Sequence, residues 1–260
     1  LRNDFKHYIY ITILLILPCL FWIVKGDQLH SITFYLLGMS VIVARYWEKI
    51  KSFRDTLEYI FLFFLTEYLL SRIGLDKLFP LNHILSIFVL FFFIFKIKKY
   101  RRRDFFIVKG NIKGSAGIGI LFALLAISGL SIWFILEKTG RFSAMIPNAP
   151  IYLLMPLGIG FAIINSVYEE GIFRSYFLTG FMRQAGLKTA IVLQAVWFAC
   201  LHYQAGFPSG IWGVLLTFIF GLMMGYLVWK SHGILLPIIV HAVADFAVFL
   251  LVVMRLNGLF

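Results

Sequence analysis

Charge is scarce in this chain, and acid is scarcer than base. Only 14% of the 260 residues are charged, with 12 Asp and Glu against 24 Lys and Arg. A water-soluble domain carries charge on about a quarter of its residues, so a soluble enzyme and a disordered tail are both excluded. Cysteine is almost missing: Cys19 and Cys200 are the only two, and both lie in apolar runs. That excludes a disulfide-framed secreted module and a Cys-based zinc motif. The short alternating segments of an outer-membrane barrel are lacking too. The first apolar run is followed by Lys25-Gly26-Asp27 rather than a small-residue cleavage site, so no cleavable signal is expected. The chain opens on Leu1 rather than Met, which reads as a trimmed N-terminus.

What the chain does have is apolar bulk. Hydrophobic residues make up 61% of it, Phe alone occurs 29 times, and mean hydropathy is +0.91. The expected fold is an all-α, polytopic transmembrane helix bundle. A helix needs about 20 apolar residues to cross the hydrocarbon core. Runs of that kind lie near 7–24, 29–44, 57–71, 79–95, 115–136, 150–178, 188–204, 209–229 and 233–254. The third is short and carries Glu58 and Glu67, so it reads as tilted or partly interfacial. It decides between eight and nine spans. Residues 178–188 read as a short surface helix.

The basic residues follow this layout. Counting loops alternately, 17 of the 24 Lys and Arg fall on one side, six on the other, and Arg174 inside a span. The positive-inside rule puts the N-terminus in the cytoplasm. The expected location is integral to a membrane, a prokaryotic cytoplasmic membrane by this reading. The densest run, Lys96 to Arg103, reads as a topogenic loop against anionic lipid headgroups. Bases grouped between apolar runs do not make a nucleic-acid face, so membrane lipid is the expected partner and nucleic acid is not. The same run divides the chain into residues 1–113, helices of unassigned role, and residues 114–260, which hold almost every unusual polar side chain.

An ionised group at mid-bilayer costs about 2.5–3.5 kcal/mol even on a lenient insertion scale. The C-terminal part nevertheless keeps Glu169, Glu170, Arg174, His202, His241 and Asp245 in apolar surroundings. On an α-helix Glu170 and Arg174 are four apart and share a face, where a charge-assisted, bidentate bond is available. Glu169 is rotated by about 100° and projects elsewhere. His202 follows Phe198 by four on the next span, and Asp245 follows His241 by four on the last. At 1.5 Å per residue Glu169, His241, His202 and Asp245 all lie about 12–21 Å deep. Singly, each has an ordinary structural reading: a core histidine, a helix ion pair. Jointly, three helices deliver one acid and two imidazoles to one layer. Cys200 reads as a small packing residue, Glu67 as interfacial or paired with Arg72, and His30, His83 and His232 as surface residues.

Glu169-Glu170-x-x-x-Arg174, Phe198-x-x-x-His202 and His241-x-x-x-Asp245 resemble, in order and each on its own span, the three-motif signature of the CPBP intramembrane proteases. That family includes the CAAX prenyl endopeptidases. The resemblance covers roughly 150–250 and implies a membrane endopeptidase of glutamic type. It implies that Glu169 with His202 activates a water, that His241 and Asp245 stabilise the oxyanion, and that Glu170 and Arg174, with Phe198, hold the motif in place. Substrate would be a membrane-associated or lipidated protein or a sorting tail. No cofactor is expected; the alternative is zinc on Glu169, His202 and His241, with water as the fourth ligand. The last motif commonly ends in Asn or Asp, and Asp245 changes the charge relative to the Asn members. Two other classes stay open: a transporter, which would show inverted repeats that this chain lacks, and a non-catalytic binding protein on the same scaffold.

Overall fold

The computed structural model describes residues 2–23, 27–46, 53–75, 78–136, 149–204 and 206–256. Lys25, Lys49, Lys51, Lys77, Lys138 and Arg141 of the charge argument lie outside the described residues, as do the side chains of Arg2, Lys6 and His30. The apolar runs fold as helices even where they carry a proline, such as Pro156, or several glycines. They are α1 (Arg2–Pro18, continued as a π turn over Cys19–Ile23), α2 (Asp27–Tyr46), α3 (Arg54–Arg72), α4 (Leu81–Phe92, continued as a π turn over Phe93–Ile97) and α5 (Ile112–Leu136). They continue with α6 (Ile151–Glu169, followed by a π-helix over Glu170–Phe177), α7 (Leu178–Gln204), α8 (Gly210–Ser231) and α9 (Leu235–Leu256). Among the described residues there is no strand. The fold is an all-α membrane bundle.

Four of these helical stretches are long and apolar enough to cross a membrane: Ile112–Leu136, Ile151–Gln204, Gly210–Ser231 and Leu235–Arg255. Tyr8–Ile23, Ser31–Tyr46 and Leu81–Ile97 are shorter apolar helices. Helix α3 falls in neither set, because its ends and its Glu58 and Glu67 lower its hydropathy. The stretch Ile151–Gln204 turns back on itself at Gly186 (φ 74°, ψ 168°), a left-handed backbone that glycine adopts without a side-chain clash. Residues 178–188 are therefore helical up to that turn, but they are not a surface helix: Leu178, Thr179, Gly180 and Phe181 are buried.

The basic segment is more than a topogenic loop. It carries a 3-10 turn over Arg102–Phe105, and the Phe105 ring is fully buried. Ser175 Oγ donates to the Phe105 carbonyl (2.5 Å) and Thr179 Oγ1 to that of Asp104 (3.4 Å). On its other flank the Ile234 amide donates to the Phe106 carbonyl (2.9 Å) and the Asn111 amide to that of Ser231 (2.6 Å). The segment thus closes one end of the bundle against α7 and the α8–α9 turn. Lys98 pairs with Glu58 and with Asp55 (3.4 Å). Arg45 (3.6 Å) and Arg54 (3.7 Å) also face Glu58, which explains how α3 tolerates that acid. Burial lifts the Asp55 carboxyl, but Lys98, Tyr100 and Arg54 outweigh it and hold its pKa below the ordinary value.

The two halves of the chain share one aromatic core. Trp197 on α7 is fully buried and meets Phe177 (4.9 Å), Phe181 (5.6 Å) and, edge-on, Trp22 (5.6 Å). Its Nε1 donates to the Leu14 carbonyl of α1 (2.7 Å). Stacks of this kind add about 0.5–1.5 kcal/mol beyond their buried area. Trp197→Ala should lower the stability of the purified protein by about 3 kcal/mol, and Trp197→Phe by about 1 kcal/mol for the lost hydrogen bond. Thermal unfolding in detergent measures both; an alanine variant as stable as the parent would show that this core does not hold α1 to α7.

Candidate active site

Helices α6 and α9 run antiparallel and pack closely because α6 has no side chain where α9 needs room. A Cβ on Gly158 would lie 2.4 Å from the Phe249 ring. Small residues permit such approach between membrane helices. From that point the two helices pair in steps of about one turn. Asn165 Nδ2 donates to Asp245 Oδ2 (3.1 Å), and Glu169 Oε2 lies 3.5 Å from His241 Nε2. His241 Nε2 is also 3.5 Å from Asp245 Oδ1.

At Glu170 the helix changes from α to π. Such wide turns are rare and concentrate at functional sites. Here the change coincides with both carboxylates reaching one ring: Glu170 Oε1 is 2.7 Å from His241 Nδ1, while Glu169 stands at Nε2. This corrects the α-helical expectation that the two acids diverge. Glu170 is not absorbed by Arg174 either. The Arg174 Nη1–Glu170 Oε1 separation is 3.2 Å, but no Arg174 nitrogen makes a hydrogen bond, so the expected bidentate bond is not formed. The shared oxygen is the reason: Glu170 Oε1 is already turned to His241. The guanidinium lies instead over the Phe198 ring (4.3 Å), which is a cation–π contact in a desolvated place.

Helix α7 brings the second imidazole. His202 Nδ1 is 2.9 Å from the Phe198 carbonyl. A carbonyl only accepts, so Nδ1 is the donor and Nε2 of the neutral ring carries the lone pair. Behind the ring, Gly206 (φ 88°) closes the chain so tightly that a Cβ there would be 2.7 Å from His202 Cδ2. Phe198 joins the two histidines: its ring centroid is 4.5 Å from that of His202 and 6.2 Å from that of His241.

The structure therefore brings Glu169, Glu170, Arg174, His241 and Asp245 into one ion-paired cluster, with Phe198 against it. His202 stands at the edge of that cluster, joined through Phe198 and without an ion pair to Glu169. Glu170, Arg174, His202 and His241 are buried. Among the described residues no group of three or more His, Cys, Asp or Glu is placed to hold a metal ion.

Three contributors escaped the sequence reading. Asn165 carries the signal of lying one turn before Glu169, on the same face. Phe220 of α8 packs 4.9 Å from His241 with no motif to announce it. Tyr168 Oη donates to Glu67 (3.3 Å), which also accepts from Ser86 (2.5 Å), so Glu67 is tied across helices rather than interfacial. His83 is likewise no surface residue: it is half-buried with its ring 3.9 Å from that of Tyr168. His232 is exposed as expected.

Residues 151–247 match the family model described as Type II CAAX prenyl endopeptidase Rce1-like. Over this stretch the chain is similar to the Rce1-like family. The stretch holds all seven motif residues, and the match agrees with the CPBP resemblance read from them. The family is one of membrane proteases, and the match together with the long apolar helices makes the protein an integral membrane protein. No curated protein and no solved structure matches the chain.

Among the described residues, Arg174 is the permanent cation paired with Glu170. Removing one partner of a buried ion pair leaves the other charge uncompensated, at about 3–5 kcal/mol. Arg174→Met should destabilise the protein by that order, and adding Glu170→Gln should recover part of the loss. Unfolding of both variants in detergent tests this; equal stability of Arg174→Met and the parent would show that the pair carries no load.

Proposed function

We infer that the protein is an intramembrane endopeptidase of glutamic type, cutting a membrane-associated or lipidated protein substrate with a water activated by Glu169. One observation carries this reading. Glu169 Oε2 and Glu170 Oε2 are both buried without a hydrogen bond, but Glu170 is tied to His241 Nδ1 through its other oxygen, whereas Glu169 Oε2 only stands 3.5 Å from His241 Nε2. An unpaired buried oxygen is costly and native structures rarely keep one without a use. A carboxylate held next to an imidazole but not hydrogen-bonded to it is placed to take a proton from a third party.

The proposed chemistry follows from the donors. Water hydrogen-bonds to the acceptor Nε2 of His202 and gives a proton to Glu169 as its oxygen attacks the peptide carbonyl carbon. The carbonyl electron pair moves onto oxygen. His241, protonated on both nitrogens between Glu169, Glu170 and Asp245, donates from Nε2 to that oxyanion. The intermediate then collapses, the C–N bond breaks, and Glu169 returns its proton to the leaving amine. Asn165 orients Asp245, and Glu170 orients His241 from Nδ1. No step uses a metal ion.

The family description supports a prenylated CAAX substrate as the first to try. The charge asymmetry supports a cytoplasmic N-terminus, which puts the basic segment on the cytoplasmic face. Neither the transporter nor the binding-protein reading needs Glu169 left without a hydrogen bond.

Glu169→Gln keeps shape and burial and removes the base. In proteoliposomes given farnesylated CAAX peptides and unprenylated tail-anchored peptides, it should lower the cleavage rate at least 100-fold, in line with the usual contribution of a positioned base. Its unfolding temperature should stay near that of the parent. His202→Ala should lose activity with a similarly small change in stability. A Glu169→Gln protein that cleaves at the parental rate overturns the assignment.

A further inference from the structure

The two cysteines are 181 positions apart in sequence and meet in space: Cys19 Sγ lies 3.9 Å from Cys200 Sγ. They are the only two cysteines in the chain. Nothing in the proposed reaction uses them. Their approach is held from both sides. One turn back, Trp197 Nε1 is bonded to the Leu14 carbonyl (2.7 Å), and the Cys19 thiol donates to the Leu15 carbonyl (3.6 Å). The register of α1 on α7 is thereby fixed where the two sulfurs face each other.

We propose that Cys19 and Cys200 form a reversible dithiol–disulfide pair, a covalent modification site that staples α1 to α7. A disulfide needs about 2.05 Å between sulfurs, so roughly 2 Å of further approach closes it. The two thiols are unequal in access: Cys200 is buried and Cys19 is intermediate. Cys19 is therefore the entering thiol and Cys200 the resolving one. The oxidant is a small organic disulfide. The Cys19 thiolate attacks one of its sulfurs and expels one thiolate, leaving a mixed disulfide. The Cys200 thiolate then attacks Cys19 Sγ and expels the second thiolate. The two cysteine sulfurs lose two electrons, the reagent gains them, and the two cysteine protons end on the two released thiols.

Location adds a consequence. Cys200 precedes His202 by two residues on α7, so the bridge anchors the helix that carries this histidine. Both cysteines lie toward the ends of α1 and α7 remote from the basic segment.

The test uses the full chain in proteoliposomes treated with dithiodipyridine, a membrane-permeant disulfide, followed by intact-mass measurement and thermal unfolding. The wild-type chain should lose two hydrogens, carry no thiopyridyl adduct and yield no alkylatable thiol after denaturation. Cys200→Ser should instead keep one adduct, on Cys19, while Cys19→Ser should leave Cys200 far slower to react. The oxidised wild-type protein should unfold several degrees above the reduced one, and reductant should abolish the difference. Adducts without hydrogen loss, bridges between chains, or thiols left unreacted in the wild-type protein overturn the proposal. These readouts are independent of cleavage, so failure of the protease assignment leaves the test intact.

Discussion

A buried histidine held by two consecutive carboxylates organises this molecule. His241 has Glu170 at Nδ1 (2.7 Å) and Glu169 at Nε2 (3.5 Å), inside a bundle whose outer surface is apolar. Charges in lipid-like surroundings are tolerated only when they compensate one another. That requirement fixes the approach of α6 to α9, because separating these helices would strand the acids of one and the imidazole of the other. It also makes the change to a π turn at Glu170 intelligible, as a helix of wider pitch presents adjacent side chains differently from an α-helix. Local backbone irregularity and electrostatic demand thus meet at the same residue.

Around this contact each further side chain has a narrower task. Asn165 steadies Asp245, and the Phe198 carbonyl fixes which nitrogen of His202 bears the proton. The Arg174 guanidinium supplies positive charge without taking up the Glu170 oxygens, because it rests over Phe198. The result is a carboxylate, Glu169, that is electrostatically accommodated yet has an oxygen without a hydrogen bond. A fully satisfied network would be more stable and chemically idle.

The all-α architecture and the meeting of the polar residues of α6 and α9 were legible from spacing, because apolar length and intramembrane charge are both expensive to misplace. Glu169, His241 and Asp245 were found by depth alone, and the helices α6 and α9 do pair them. What the spacing misstated follows from assuming regular α geometry: the divergence of Glu169 from Glu170 and the bidentate Glu170–Arg174 bond. His202 could be placed at the right level but not relative to Glu169, since depth along an axis says nothing about azimuth between helices. Glu67 and His83 were misread for a related cause. Their partners Tyr168 and Ser86 lie on other helices, and contacts between distant segments leave no periodic trace.

Those same contacts give the N-terminal helices a physical role. Glu67 of α3 accepts from Tyr168, the residue before Glu169, and from Ser86 of α4. Leu14 of α1 accepts from Trp197, and Tyr59 of α3 offers its carbonyl to the Tyr176 hydroxyl at 3.0 Å. The ties to Tyr168, Trp197 and Tyr176 land on the residue beside Glu169, on α7 and on the π-helix. A π-helix has poorer intrinsic stability than an α-helix, so it persists only where surrounding packing over-determines it. The Rce1-like segment supplies every motif residue, but the conformation that turns both its acids onto one ring is braced from outside that segment.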